Sequence, residues 1–345
     1  MDNISLTGLL PEEILTYLPA GKEKFRGMQI FRWIHERGAE SFDEMTNLSL
    51  SFREEIKDNF SIGVIEKADV VSSGDRSTDK YLWRLCDSNY IESVIIRDED
   101  RITACISSQV GCKMKCRFCR TGEIGFKRNL TAGEIIDQLI KMKKNLAETG
   151  EDIKNIVFMG MGEPLDNIEA VIKALKIINL ETGLGTGQRK ITVSTCGIVP
   201  GILKLADAFS RVGLAISLNA PDDALRTRLM QINKKYPIKD ILEAARRFTN
   251  LTKRRVTFEY ILMAGVNDSP EQARKLLSIV KSVPSKVNLI VFNEYPGSEF
   301  KRPSDAKIDA FQRILIDNNV TAMLRKSKGT DISAACGQLA GKKGK

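Results

Sequence analysis

From residue 155 onward the chain alternates strand-like apolar runs with helical patterns, and this alternation limits the fold more than any other feature of the sequence. Asn155-Ile-Val-Phe-Met-Gly precedes a helix near 168–179, Lys190-Ile-Thr-Val-Ser-Thr one near 200–209, and Gly213-Leu-Ala-Ile-Ser-Leu one near 224–230. Arg255-Val-Thr-Phe-Glu-Tyr-Ile-Leu then precedes 270–282, and Lys286-Val-Asn-Leu-Ile-Val-Phe precedes 304–318. Repeated βα units predict a parallel sheet, and their steady spacing favours a barrel or partial barrel over an open sheet. Ligands of such folds sit in the loops beyond the strand ends.

Two other regions precede the repeats. Residues 1 to about 60 read as short amphipathic helices at 11–18, 27–35 and 49–56, with apolar positions three and four apart. Phe31, Trp33 and Ile34 are read as the core of that module, whose basic, aromatic face could grip RNA. From 64–71, 79–86, 90–96 and 101–107 the pattern is short strands separated by the turn residues 72–75 and 98–100, which predicts a meander.

Cys112-Lys-Met-Lys-Cys116-Arg-Phe-Cys119 follows directly. Three thiolates at that spacing can converge on one face of an iron–sulfur cube and leave one iron without a protein ligand, free to bind a small molecule and pass it an electron. The competing reading is structural zinc. Zinc commonly takes two CxxC-like pairs or histidines, whereas here no second pair exists and the only histidine, His35, lies far upstream. Seven cysteines in 345 residues without a signal-peptide pattern fit a reduced cytoplasmic setting. No apolar run is long enough for a membrane span. The formal charge of +9 and basic runs such as Lys253-Arg254-Arg255 tilt toward a polyanionic partner. Gly160-Met-Gly-Glu-Pro164 ends the first strand after the cysteines; its glycines let backbone approach a ligand, and Glu163 can accept from an ammonium group.

The cysteine motif followed by Gly-Glu-Pro resembles the radical S-adenosylmethionine superfamily. The resemblance narrows to one family over nearly the whole chain: residues 14–50, Cys105-Ile-Ser-Ser-Gln-Val-Gly-Cys112, Leu229-Met-Gln-Ile-Asn-Lys-Lys-Tyr-Pro237 and Ala334-Ala-Cys-Gly-Gln-Leu-Ala340 are similar to the dual-specificity RNA adenine-C2 methyltransferases. Those enzymes act on one adenine of 23S rRNA and one in the tRNA anticodon loop. The fold implied is a partial (β/α)6 barrel of radical SAM type at 109–325. An N-terminal helical accessory domain at 1–60, a β extension at 61–108 and a C-terminal segment at 326–345 complete it.

The resemblance also implies a chemistry and the residues that perform it. A 4Fe–4S cluster on Cys112, Cys116 and Cys119 and two S-adenosylmethionine molecules per turnover are expected. Cys336 matches the cysteine that is first methylated and then attached to the adenine, Cys105 the cysteine that releases the RNA through a transient disulfide with Cys336, and Glu92 the proton acceptor. Gly162 and Glu163 match a contact to the methionyl amine, Ser194 a ribose or carboxylate contact, and Ser217, Leu218, Asn219 and Asn293 further polar contacts. Asn219 stands where many relatives carry histidine. Cys86 and Cys196 are read as small buried bystanders. The partners implied are the two RNAs and a flavodoxin-type electron donor, for a monomer with no membrane association.

Three rival readings share parts of this pattern. A sister enzyme that methylates C8 of the same rRNA adenine and confers antibiotic resistance has the same cysteines, but 296–304 resembles the C2 enzymes more closely. A non-methylating radical SAM activase needs neither Cys105 nor Cys336. A non-enzymatic iron–sulfur RNA-binding protein would not cleave S-adenosylmethionine.

Overall fold

The computed structural model describes residues 4–18, 25–99 and 101–341. At the N-terminus α1 (Pro11–Tyr17), α2 (Phe25–His35) and α3 (Leu50–Lys57) form the helical module. Phe31 and Ile34 are buried in it as expected, while Trp33 is half-buried and stacks under the Arg37 guanidinium at 4.2 Å. His35 is a core residue: its ring nitrogens lie 2.9 Å from the Phe31 carbonyl and 2.8 Å from that of Thr7. A Cβ on Gly8 would fall 2.5 Å from the Gly133 nitrogen, so the module seats backbone to backbone on the following domain.

A ten-stranded sheet carries the rest, its strands side by side in chain order. The predicted meander is β1 (Ile65–Ser72), β2 (Thr78–Leu85) and β3 (Tyr90–Asp98), paired antiparallel. β4 (Arg101–Cys105) pairs antiparallel with β3 and parallel with β5 (Asn155–Phe158), placing Cys105 opposite both Val94 and Val157. The meander is therefore continuous with the parallel array, in which Arg101–Cys105 is the first strand with a parallel neighbour. β6 (Ile191–Thr195), β7 (Gly213–Ser217), β8 (Val256–Leu262), β9 (Ser285–Val291) and β10 (Ala322–Arg325) follow, each parallel to the last.

Chain-order pairing fixes where the helices go. α4 (Arg120–Ile124) belongs to the cysteine loop; α5 (Ala132–Ala147), α6 (Ile168–Asn179), α7 (Val199–Ala208), α8 (Asp223–Leu229), α9 (Ile238–Thr252), α10 (Pro270–Val280) and α11 (Asp305–Ile316) connect parallel strands. Right-handed crossovers between sequential neighbours all pass over the same face. Helices then cover one side of the sheet, and the other becomes the concave interior of a partial barrel. α5 and α9 are not evident in the βα pattern. α5 starts at a reciprocal cap, with Thr131 Oγ1 accepting from Glu134 N at 3.1 Å and the Glu134 carboxylate accepting from Thr131 N at 2.8 Å. No described helix is long and apolar enough to cross a membrane. Residues 342–345 of the basic C-terminal tail lie outside the described residues.

Candidate active site at the strand ends

The cysteine loop is held by a small hairpin that pairs Gln109–Gly111 with Phe126–Asn129. Gly111 has φ +73°, and a Cβ there would sit 1.7 Å from the Gly125 carbonyl oxygen, so only glycine closes the hairpin. Within the loop Cys119 N donates to the Cys116 carbonyl at 3.1 Å, and Arg117 N to Leu229 O at 3.0 Å. Cys112, Cys116 and Cys119 line one chamber together with Gly162, Glu163, Ser194, Ser217 and Asn219 from the ends of the parallel strands. Residues distant in sequence thus converge where a parallel barrel places its ligands.

Each wall group has a fixed orientation. Gly162 has φ +99° and packs so closely that a Cβ would lie 2.7 Å from Gln109 N. Glu163 is 4% exposed; its carboxylate accepts from Cys196 N at 2.7 Å and Leu165 N at 3.1 Å, and its own N–H donates to Gln109 Oε1 at 2.8 Å. Burial pushes its pKa up from the ordinary carboxylate value, so an arriving ammonium group would be strongly favoured beside it. Asn219 adopts φ +57°, a conformation asparagine tolerates, and its Oδ1 accepts from Ile261 N at 2.9 Å. Leu218 turns its side chain into the core. Asn293 stands off the chamber wall and donates Nδ2 to the Cys336 carbonyl at 3.3 Å, tying down the C-terminal segment.

Cys105 opens into a second, larger space of about 1780 Å³ including its mouth, against about 800 Å³ for the first. Arg101, Arg325, Lys326 and Lys328 outweigh Asp98 and Glu99 in this chamber and leave it net basic, although Asp98 pairs with Lys328 at 2.8 Å and with Arg101 at 3.9 Å. Cys119, Gly160 and Cys336 line both chambers, so Cys336 stands at their junction. Burial pushes the Cys105 thiol up to about 12, with Cys336 adding to the rise and the Arg325 guanidinium opposing it. Both thiols are free. Glu92 is 3% exposed rather than an open strand carboxylate, and its Oε2 accepts from Ala340 N and Gly341 N. Cys196 is buried in the cofactor chamber wall, whereas Cys86 is exposed in the turn after β2, against expectation.

Three site residues were not evident in the sequence. Gln109 bridges the turn to the cysteine hairpin, donating Nε2 to Asp166 Oδ2 at 2.8 Å while accepting from Glu163 N. Glu259 lines the chamber from β8 and accepts from Ser194 Oγ at 3.1 Å. A lone carboxylate inside the apolar run Val256–Leu262 was its only signal. Arg226, fully buried, donates to the carbonyls of Leu218 at 3.2 Å, Ser217 at 3.2 Å and Cys196 at 2.5 Å, pinning two strand ends to each other.

A partial barrel with a three-cysteine loop facing the chamber at its strand ends defines a radical S-adenosylmethionine enzyme, and the profile of the Radical SAM superfamily matches residues 106–277. That of the "Ribosomal RNA large subunit methyltransferase N-terminal domain" matches residues 4–62. The chain is 49% identical over 322 residues to the dual-specificity RNA methyltransferase RlmN of Pelobacter propionicus, covering 93% of this chain and 91% of that one. It is 46% identical over 343 residues to the same enzyme of Geotalea uraniireducens, covering 99% and 98%. A crystal structure of a radical SAM methyltransferase from Sphaerobacter thermophilus superposes with a TM-score of 0.95 at 41% identity, covering 98% of this chain and 100% of that one. The chain belongs to the RlmN family of radical SAM RNA methyltransferases.

Members of this superfamily use a 4Fe–4S cluster and S-adenosylmethionine, and the donor set fits both. The thiols of Cys112, Cys116 and Cys119 share one wall, and burial raises the pKa of each, that of Cys112 to about 12. Such thiols ionise readily only when metal charge replaces the lost solvent.

Proposed function

We propose that this chain methylates C2 of one adenine in the peptidyl transferase region of 23S rRNA and of one adenine in the tRNA anticodon loop, with Cys336 as carrier of the methyl carbon. The observation that carries the reading is the position of Cys336 between a cofactor chamber and a larger basic one. Adenine C2 is electron-poor and offers no lone pair to a sulfonium methyl group. The cluster and S-adenosylmethionine supply the electron and the hydrogen-abstracting radical that such a carbon requires.

The chain's own groups do the rest. Glu163 receives the methionyl ammonium, Gly162 admits it, and Ser194, Ser217, Leu218, Asn219 and Asn293 shape the surrounding wall and segment. Arg101, Arg325, Lys326 and Lys328 attract RNA phosphates to the second chamber. After the carbon of Cys336 is bonded to the base, Glu92 takes the ring proton, and the one electron the adduct must lose would pass back to the cluster. The Cys105 thiolate then attacks the Cys336 sulfur, the carbon–sulfur bond breaks, and a solvent proton on the released carbon completes the methyl group and frees the RNA. The resulting disulfide is then reduced. A flavodoxin-type donor supplies the electron, and the protein acts as a monomer in the cytoplasm.

The isotopic test uses S-adenosylmethionine with a trideuterated methyl group and both RNAs. Delivery through Cys336 requires one deuterium to be abstracted and one solvent hydrogen to return, so 2-methyladenosine carrying two deuterium atoms is expected. Three retained deuterium atoms, or label at C8, would overturn the proposal.

A further inference from the structure

The carboxylate assigned to proton transfer is already engaged. Glu92 Oε2 accepts from the backbone N–H groups of Ala340 at 2.6 Å and Gly341 at 3.0 Å, and Oε1 faces Lys80 Nζ at 3.5 Å. Two main-chain donors converging on one carboxylate oxygen form a firm dock. Gly341 makes the approach possible: its φ is +57°, and a Cβ there would sit 2.6 Å from the Tyr90 carbonyl oxygen.

The rest of the segment is strapped across the cysteine loop. Leu339 O accepts from Thr121 Oγ1 at 2.8 Å, Gly337 O from Arg120 N at 2.8 Å, and Cys336 O from Asn293 Nδ2 at 3.3 Å. Among these clamps Glu92 alone is a charged group. In this arrangement Cys336 lines the cofactor chamber, as methyl loading demands. Proton transfer from the adenine demands an unoccupied Glu92 oxygen facing the base. Here Glu92 is 3% exposed, its Oε1 is turned to Lys80 and it lines neither chamber, so a base has no access to it while the strap is docked.

We infer that Glu92 is a positioning residue before it is a proton acceptor: it docks the strap of residues 336–341 so that Cys336 faces the cofactor, and its Oε2 becomes available only when Ala340 and Gly341 let go. The second half rests on the proton-acceptor role proposed above. Release of the strap then uncovers the acceptor as Cys336 turns toward the RNA. The ring proton passes from C2 to Glu92 Oε2, in the place the two N–H donors have vacated. Neither event needs a further group.

The test follows amide hydrogen exchange by mass spectrometry in the full-length, cluster-loaded protein without RNA. Wild type is compared with Glu92→Gln, which removes the charge at constant shape, and Gly341→Val, which blocks docking and leaves the carboxylate intact. Exchange in peptides covering 338–341 is expected to rise at least tenfold in both variants, with iron content unchanged. Wild-type exchange in either variant would overturn the docking role.

Undocking is expected to lower methyl loading of Cys336 in both variants, so methylated Cys336 is first quantified by mass spectrometry. RNA is then added, and the covalent protein–RNA species is quantified on a denaturing gel per methylated Cys336. Accumulation in Glu92→Gln but not in Gly341→Val supports both roles. Faster exchange without accumulation leaves the dock standing and removes the proton-acceptor assignment. Accumulation in Glu92→Gln with wild-type exchange does the reverse.

Discussion

Replacing Arg226 by lysine should damage the cofactor site from behind its wall. The guanidinium is fully buried and donates to Leu218 O, Ser217 O, Cys196 O, Tyr236 O and Asn233 Oδ1 at 2.5 to 3.4 Å. Burial lowers its pKa from the ordinary guanidinium value, the mark of a charge held by acceptors rather than by water. An ammonium group has three donors, so at least two acceptors lose their partner. Hydrogen bonds from charged donors contribute about 1.5–3 kcal/mol each, and disrupting such a buried network costs about 3–5 kcal/mol. Because those carbonyls fix Ser217 and the backbone beside Asn219, affinity for S-adenosylmethionine should fall about tenfold for every 1.4 kcal/mol that reaches the chamber. Denaturant unfolding gives the stability loss, and equilibrium binding to cluster-loaded protein gives the affinity. A lysine variant within 1 kcal/mol of wild type and of unchanged affinity would refute the reasoning.

Three further outcomes follow from the same geometry. Cys105→Ala should strand RNA on Cys336, visible as a denaturation-resistant band, and normal turnover without that band would remove the releasing role of Cys105. The Cys105 thiol titrates near 12 in the folded protein against 9.0 for an unperturbed thiol, so the unfolded chain sheds its proton first; this group's contribution to stability is complete below pH 9 and is lost as pH rises toward 12. Iodoacetamide labelling of Cys105 at pH 8 should accordingly be orders of magnitude slower in folded than in denatured protein, and equal rates would contradict the burial argument. Gly162→Ala must place a Cβ 2.5 Å from that of Gln109 at φ +99°, so loss of S-adenosylmethionine binding is expected at a folding cost of about 1–3 kcal/mol; wild-type binding would show that the turn can relax.

The parallel strands were legible because buried strands read as short apolar runs closed by turn residues, and Asn155–Phe158, Ile191–Thr195 and Gly213–Ser217 fall within the runs named from sequence. α9 carries a regular helical period, with Ile238, Ile241, Ala244, Ala245 and Phe248 buried and Lys239, Arg246 and Arg247 outside, and was missed because a single helix was expected between β7 and β8. β10 was less legible because Met323 and Leu324 are exposed where a strand core was sought. Cys86 misled because a free thiol is so often buried; a turn position overrode that preference. The cysteines of the site were readable from spacing and resemblance. Arg226 and Glu259 were not, since a charged side chain reads as surface until the tertiary fold surrounds it. That Glu92 holds Gly341 is a contact across 249 positions of sequence, beyond the reach of any local pattern.

The central claim concerns one carbon atom on two RNAs, and nucleoside mass spectrometry of 23S rRNA and tRNA from a strain lacking this gene tests it most directly. The account predicts that 2-methyladenosine disappears from both RNAs, returns with the wild-type gene and does not return with Cys336→Ala. Unchanged 2-methyladenosine in the deletion strain, or loss of 8-methyladenosine instead, would contradict it.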